Sequence, residues 1–290
     1  MRLKNFLQLK YLMIMPALAV ILVVVVYPLI YSLYLSFNSY MLTTPTKANI
    51  EFVGMDNYVK LIHDDLVAIA LWNTTVFTVS AVALEFLFGL ILALIVNRGI
   101  KFQGTITSIL LMPMMVASVA AGLMWRYLLH EQLGIVNFIL ESVGIGMIPF
   151  RSDPNLAMPT IIACDVWQWT PFMFLLMLAG LQSLPKEPLE AATVDGASAV
   201  QTFLHVTLPL MRSIIMIALV LRAIDAVKTY DIIYTLTRGG PGTVTEVISY
   251  YIYRIGFWFY QVGRAAAYSY VLLIIITVMC LIMIRLMTRR

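Results

Sequence analysis

The chain has 290 residues, 61% of them hydrophobic and only 12% charged. A soluble domain keeps about a quarter of its residues charged, so this composition excludes an ordinary soluble enzyme and indicates a polytopic membrane protein. The net charge of +4 is scattered along the chain, whereas a nucleic-acid binder needs a concentrated basic face.

A bilayer crossing takes about 20 consecutive apolar residues. Six stretches qualify: 11–37, 71–96, 105–129, 158–181, 213–237 and 266–286. None shows the alternation of a β-barrel strand, so helices are expected, and the fold class is all-α. The first, YLMIMPALAVILVVVVYPLIYSLYLSF, carries no charge. It is too long for a signal-peptide core and lacks a clear cleavage site, which predicts a retained span. With both termini inside, the cytoplasmic segments hold ten Lys and Arg residues, including Arg289 and Arg290. The longer outer segments then hold seven, Lys47 and Arg151 among them. That density predicts cytoplasmic termini and a cytoplasmic loop over 182–212 within a single transmembrane domain, 1–290.

Along the chain, residues 38–70 form an outer loop in which FVGMDNYVKLIHDD predicts a short amphipathic helix. Span two contains Glu85. NRGIKFQG is a tight inner turn leading to span three, where Pro113 removes a backbone donor and leaves the carbonyl of Ile109 to be satisfied elsewhere. HEQLG at 130–134 lacks the second histidine of a zinc-protease helix, and no metal site is expected. Span four holds Asp165, Trp167 and Pro171, which likewise frees the carbonyl of Trp167. Freed carbonyls at membrane depth face protein or a wet cavity, so these prolines mark either a solute path or a packing kink. Cys164 and Cys280 each fall inside a span, as small buried hydrophobes do.

Span five carries Arg222, Asp225, Lys228 and Asp231 at every third residue with alternating sign. Such spacing puts a partner one turn from each charge, and unpaired charges at this depth are costly. Two readings stay open: a hydrated lining of a solute path, and an ion-pair ladder between helices. Glu85 and Asp165 are candidate partners for Arg222 or Lys228. Beyond it, YYIYRIGFWFY at 250–260 gathers aromatics that suit a membrane interface or a sugar contact.

Between spans four and five lies the least membrane-like passage. PKEP opens a short helix with proline in its first turn, and LEAATVD extends it for about two turns. Gly196 is placed to end it in the left-handed conformation. ASAVQTFLHVTL begins a second helix, which Pro209 breaks or kinks before span five. The small Ala191 and Ala192, with acidic Glu190 near the start, suit a groove on another protein better than a membrane surface, whose helices are Lys/Arg-rich.

The spacing E-A-A, three residues, G, nine residues, V-x-L-P resembles the EAA loop of ABC-transporter permeases, carried here by Glu190, Ala191, Ala192, Gly196, Leu208 and Pro209. NTTVFT (73–78), GLILAL (89–94), DVWQWTPF (165–172), AGLQSLPKEPLEAATVDGAS (179–198) and LTRGGPGTVTE (236–246) resemble its carbohydrate branch. The resemblance implies the type I importer permease fold and an inner-membrane assembly. Its expected partners are a second homologous permease forming a heterodimer, two ATP-binding subunits that use ATP and Mg, and an extracytoplasmic sugar-binding protein. It implies that Glu190, Ala191, Ala192, Asp195 and Gly196, with Leu208 and Pro209, couple to the ATPase. Arg222, Asp225, Lys228, Asp231, Glu85, Asp165 and Trp167 are the candidate pathway residues. The chain has no phosphate-binding loop or catalytic set of its own, so it is expected to bind no cofactor and not to be an enzyme. The rival reading is an ion-coupled secondary transporter using the span-five charges, for which an internal repeat is the missing sign.

Overall fold

A computed structural model of the chain describes residues 2–43 and 50–288; Lys47, Arg289 and Arg290 of the charge count lie outside them. In chain order, helix α1 (Arg2–Ile21) passes through a π-turn (Leu22–Val26) into α2 (Tyr27–Ser36). Two short strands, β1 (Asn38–Ser39) and β2 (Glu51–Phe52), pair antiparallel and lead to α3 (Asp56–Ile62). This is the amphipathic segment expected near 52–65, and a Lys60–Asp56 ion pair of 2.6 Å at i,i+4 spacing supports it.

The long α4 (Asp65–Asn97) follows, with an acidic residue in its first turn, where the helix dipole favours negative charge. Next come α5 (Gln103–Leu111), a 3₁₀ turn (Met112–Met115), α6 (Ser118–Leu128) and α7 (Ile135–Ser142). Helix α8 (Pro154–Gln182) starts under an Asp153 side chain that accepts from Asn155 N–H, with proline at its first position. Beyond it lie α9 (Glu187–Val194), α10 (Ala199–Thr202), a second π-turn (Phe203–Thr207), α11 (Leu208–Leu210) and α12 (Arg212–Val227). The chain ends with α13 (Asp231–Leu236), α14 (Ile248–Tyr253), a third π-turn (Arg254–Trp258) and α15 (Val262–Thr288).

Among the described residues, four helices are long and apolar enough to cross a bilayer: Tyr11–Ser36, Asp65–Asn97, Pro154–Gln182 and Val262–Leu286. Two bent pairs, Gln103–Met115 with Ser118–Leu128 at 91° and Ala199–Leu210 with Arg212–Val227 at 66°, bring the number to six if each counts as one span. The third and fifth expected spans are therefore not single rods. Pro113 sits in the 3₁₀ turn, after which Val116 is extended. The carbonyl of Ile109 is not left free, because Met112 N–H donates to it. The expected span 213–237 stops at Val227: Lys228 N–H returns to Asp225 O at 3.2 Å and Thr229 N–H to Ala226 O at 3.1 Å, tight bonds that close the last turn.

The chain forms two compact units, residues 1–64 with 252–274 and residues 65–251 with 275–290. In the first, Arg264 donates to Asp64 at 2.5 Å and the Tyr268 hydroxyl to the same carboxylate at 3.1 Å. The Tyr11–Ser36 span is open over almost its whole length, as suits lipid or another chain. In the second, α4 and α8 approach closely at Gly89, where a Cβ would lie 2.7 Å from both Met173 Cβ and Phe174 N. Membrane helices associate through such small-residue contacts because lipid supplies no hydrophobic drive between them. Phe77, Ala81, Ala93, Met173, Phe174 and Met177 fill this seam, fully buried.

Candidate functional site

At the centre of the second unit three helices each contribute one charge. Arg222 of α12 donates through Nε to Glu85 Oε2 of α4 at 2.6 Å and through Nη2 to Glu85 Oε1 at 2.8 Å. The same Nη2 donates to Asp165 Oδ2 of α8. All three side chains are buried, and the guanidinium lies over the Trp169 ring, 5.2 Å from its centroid. The planar fork of arginine matches a carboxylate with two parallel bonds, and burial in protein is how membrane segments carry charge. Arg222 thus has its acidic partners on other helices. The ladder expected within span five reduces to one contact, Lys228 Nζ to Asp225 Oδ1 at 3.4 Å, with both side chains more than half exposed.

These groups open onto a cavity of about 310 Å³ walled by α8, α12, α13 and the start of α6. Asp165, Arg222, Asp225, Lys228 and Asp231 all line it, with Gln168, Trp169 and Tyr230. Gln168 shows why the broken third span is tolerated. Its Nε2 donates to the carbonyl of Val116, at the 91° bend, over 2.8 Å. Irregular backbone at membrane depth survives where protein satisfies it or a cavity adjoins it, and here both hold. Gln168 Oε1 is buried without a hydrogen-bond partner.

Trp167 falls elsewhere. Its ring packs edge-on against Trp125 at 5.5 Å, and it lines a separate apolar groove of about 720 Å³ with Pro113 and Pro171. Alternating positions on α8 point in different directions, so Trp167 and Trp169 serve different surfaces. Sequence reasoning missed Gln168 and Trp169; their place one turn from Asp165 on the same helix was the available signal. A further cavity of about 200 Å³ gathers Arg126, Arg151 and Arg238 around Glu131. Burial first, and the neighbouring Arg126 second, push the Arg151 guanidinium below its usual range.

Two of the quoted stretches hold each other. Asn73 of NTTVFT donates to the carbonyls of Thr243 at 2.9 Å and Glu246 at 3.0 Å in LTRGGPGTVTE, and Thr74 Oγ1 accepts from Ile248 N–H at 2.9 Å.

The loop after α8 has the expected form. α9 ends in a Schellman arrangement: Ala197 N–H bonds Ala192 O at 3.0 Å, and Gly196 N–H bonds Thr193 O at 3.1 Å. Gly196 takes φ +77°, a left-handed conformation that glycine adopts at little cost. Ser198 and Gln201 then form a reciprocal capping box on α10. Glu190, Ala191, Asp195 and Gly196 are exposed, as is Pro209, while Ala192 and Leu208 are half-buried. Val194 is 88% exposed, an apolar side chain left outside the fold.

Residues 85–289 match the family described as the binding-protein-dependent transport system inner membrane component. The chain belongs to that family. This permease is 38% identical over 260 residues to the trehalose/maltose transport system permease protein MalF of Thermococcus litoralis, covering 88% of this chain and 84% of the relative. It is 30% identical to the sn-glycerol-3-phosphate permease UgpA of Agrobacterium fabrum, over 97% of this chain and 95% of that one. Among solved structures it is similar to a chain of a bacterial ABC transporter involved in import of the acidic polysaccharide alginate. There the TM-score is 0.85 and the identity 24%, with 100% of this chain and 99% of the other covered. A structure of the alginate transporter in complex with an alginate-pentasaccharide-bound periplasmic protein gives a TM-score of 0.83 at 25% identity, covering 97% and 94%. The permease is thus a multi-pass membrane subunit of an ABC import system with the type I importer fold.

Proposed function

We propose that the permease forms half of the translocation pathway of an ATP-driven importer and passes a sugar, delivered by an extracytoplasmic binding protein, across the cytoplasmic membrane. A second homologous permease completes the pore, and two ATP-binding subunits hydrolyse ATP with Mg on the cytoplasmic side, where both termini of this chain also lie. Glu190, Ala191, Ala192, Asp195 and Gly196 form the docking helix, and Leu208 and Pro209 stiffen its return to α12. This assignment is supported by a helix with no buried residue, ended sharply at Gly196 and presenting Val194 to the outside. Closure of the ATPase dimer moves that helix, and the bent crossing formed by α10 to α12 carries the motion to the cavity around Arg222. The nucleotide thereby biases a two-state membrane unit.

The match to an alginate importer solved with its saccharide-loaded periplasmic protein is the observation that supports a sugar cargo most. Names among the relatives span neutral and acidic solutes, trehalose/maltose and sn-glycerol-3-phosphate, so membership alone leaves the cargo's charge open. The test is reconstitution of both permeases and the ATPase in liposomes with the loaded binding protein. Uptake is expected only with ATP and binding protein together. Accumulation driven by an ion gradient without ATP would favour a secondary transporter and end this reading.

A further inference from the structure

The cavity between α8, α12 and α13 is lined by more acids than bases. Three carboxylates, Asp165, Asp225 and Asp231, face two cations, Arg222 and Lys228, on its walls. Arg222 is held firmly and Lys228 loosely. Arg222 is bound to Glu85 and Asp165 and covered on one face by Trp169; Lys228 is paired with Asp225 at 3.4 Å. Glu85 stands behind Arg222, so the cluster sets four acids against two bases. Arg126, Arg151 and Arg238 line a different cavity and do not change this balance.

The remaining polar equipment suits hydroxyl groups. Gln168 is 1% exposed, lines the cavity and keeps a partnerless acceptor, Oε1. Asp231 and Asp225 are further acceptors for O–H donors, and Trp169 and Tyr230 supply aromatic surface. An anionic group would meet an excess of like charge, with Arg222 held by its buried acids and Lys228 standing beside Asp225, and such repulsion is one means of specificity.

We propose that the cavity around Arg222 is a selectivity element that admits neutral, hydroxyl-rich saccharides and excludes those bearing carboxylate, phosphate or sulfonate. The statement about cargo rests on the sugar-import reading above; the statement about the cavity's sign does not.

The experiment uses the complete transporter in nanodiscs, with Thr229→Cys on the cavity wall and Cys164 and Cys280 replaced by alanine. Cationic and anionic methanethiosulfonates of equal size are compared, each rate divided by its rate with free cysteine. The cationic reagent is expected to be favoured by at least about tenfold, the low end of focusing in a charged cleft. Asp225→Asn with Asp231→Asn should move the ratio toward one. An anionic reagent that reacts equally fast or faster overturns the proposal. In proteoliposomes, trehalose and maltotriose are compared with trigalacturonate, each corrected for binding-protein occupancy. Entry of the neutral sugars with at least tenfold less trigalacturonate supports the proposal, and equal entry overturns it. If no saccharide enters while the reagent ratio stays cationic, the sugar-import reading fails and the cavity's sign stands. If maltotriose enters while the ratio favours anions, the charge inference alone fails.

Discussion

Replacing Arg222 by methionine keeps a long flexible side chain of similar reach but removes the cation between Glu85 and Asp165. Those carboxyls are 0% and 2% exposed, and Glu85 loses two hydrogen bonds while Asp165 loses one. Breaking a buried ion pair from one side costs about 3–5 kcal/mol, since the remaining charge stays buried without compensation. The triple variant Glu85→Met, Asp165→Leu, Arg222→Met removes every charge and is expected to fall within about 1 kcal/mol of the parent, or above it, because apolar replacement of a buried pair is often neutral or stabilising. The assay is the SDS-unfolding midpoint of the purified permease in micelles, followed by tryptophan fluorescence, for the single, paired and triple variants. Strong non-additivity is the signature: a costly single change and a nearly silent triple one. An Arg222→Met midpoint equal to the parent's, or a triple variant as damaged as the single, would refute the claim that the three side chains act as one charge unit.

Asp225→Ala leaves Arg222 with both of its buried acids and breaks only the half-exposed contact with Lys228, so the unfolding midpoint should move by less than about 1 kcal/mol; a loss as large as that of Arg222→Met would restore the ladder along span five. Gly89→Ala drives a methyl into the α8 backbone at 2.7 Å and should cost about 1–3 kcal/mol in the same assay, with Gly104→Ala, where nothing lies within 4 Å, as the silent control. Gly196→Val forces a β-branched residue to φ +77° with no steric contact, so about 1–2 kcal/mol of purely backbone strain should appear as faster amide exchange over 187–202, with Gly196→Asn milder. Glu190→Lys inverts an exposed charge and should leave folding unchanged while substrate-stimulated ATPase activity falls at least about tenfold; unaltered stimulation would remove Glu190 from the docking surface.

The loop after α8 was legible because its conformation is decided locally. Pro188 in the first helical turn and Gly196 at the left-handed position each act over a few residues and stand as their types require, and the structure adds the Ser198–Gln201 box, which is equally local. The fifth span differs for the opposite reason. A regular spacing of charges says which side chains share a helix face but not where the helix ends, and tight bonds at Lys228 and Thr229 close it at Val227, well short of the expected end at 237. Pro113 removes a donor, and the chain meets that loss with a 3₁₀ turn and a 91° bend that the sequence does not announce.

The amino-acid order alone determined that this is a helical membrane protein with a short exposed helix between two spans, because apolar runs, proline starts and glycine turns are written in consecutive residues. Only the tertiary structure decided which acid neutralises Arg222 and which side chains share its cavity. Glu85, Asp165 and Arg222 lie 80 and 57 positions apart along the chain. Their meeting depends on how α4, α8 and α12 pack, down to the close approach at Gly89, and no periodicity within one segment carries that information.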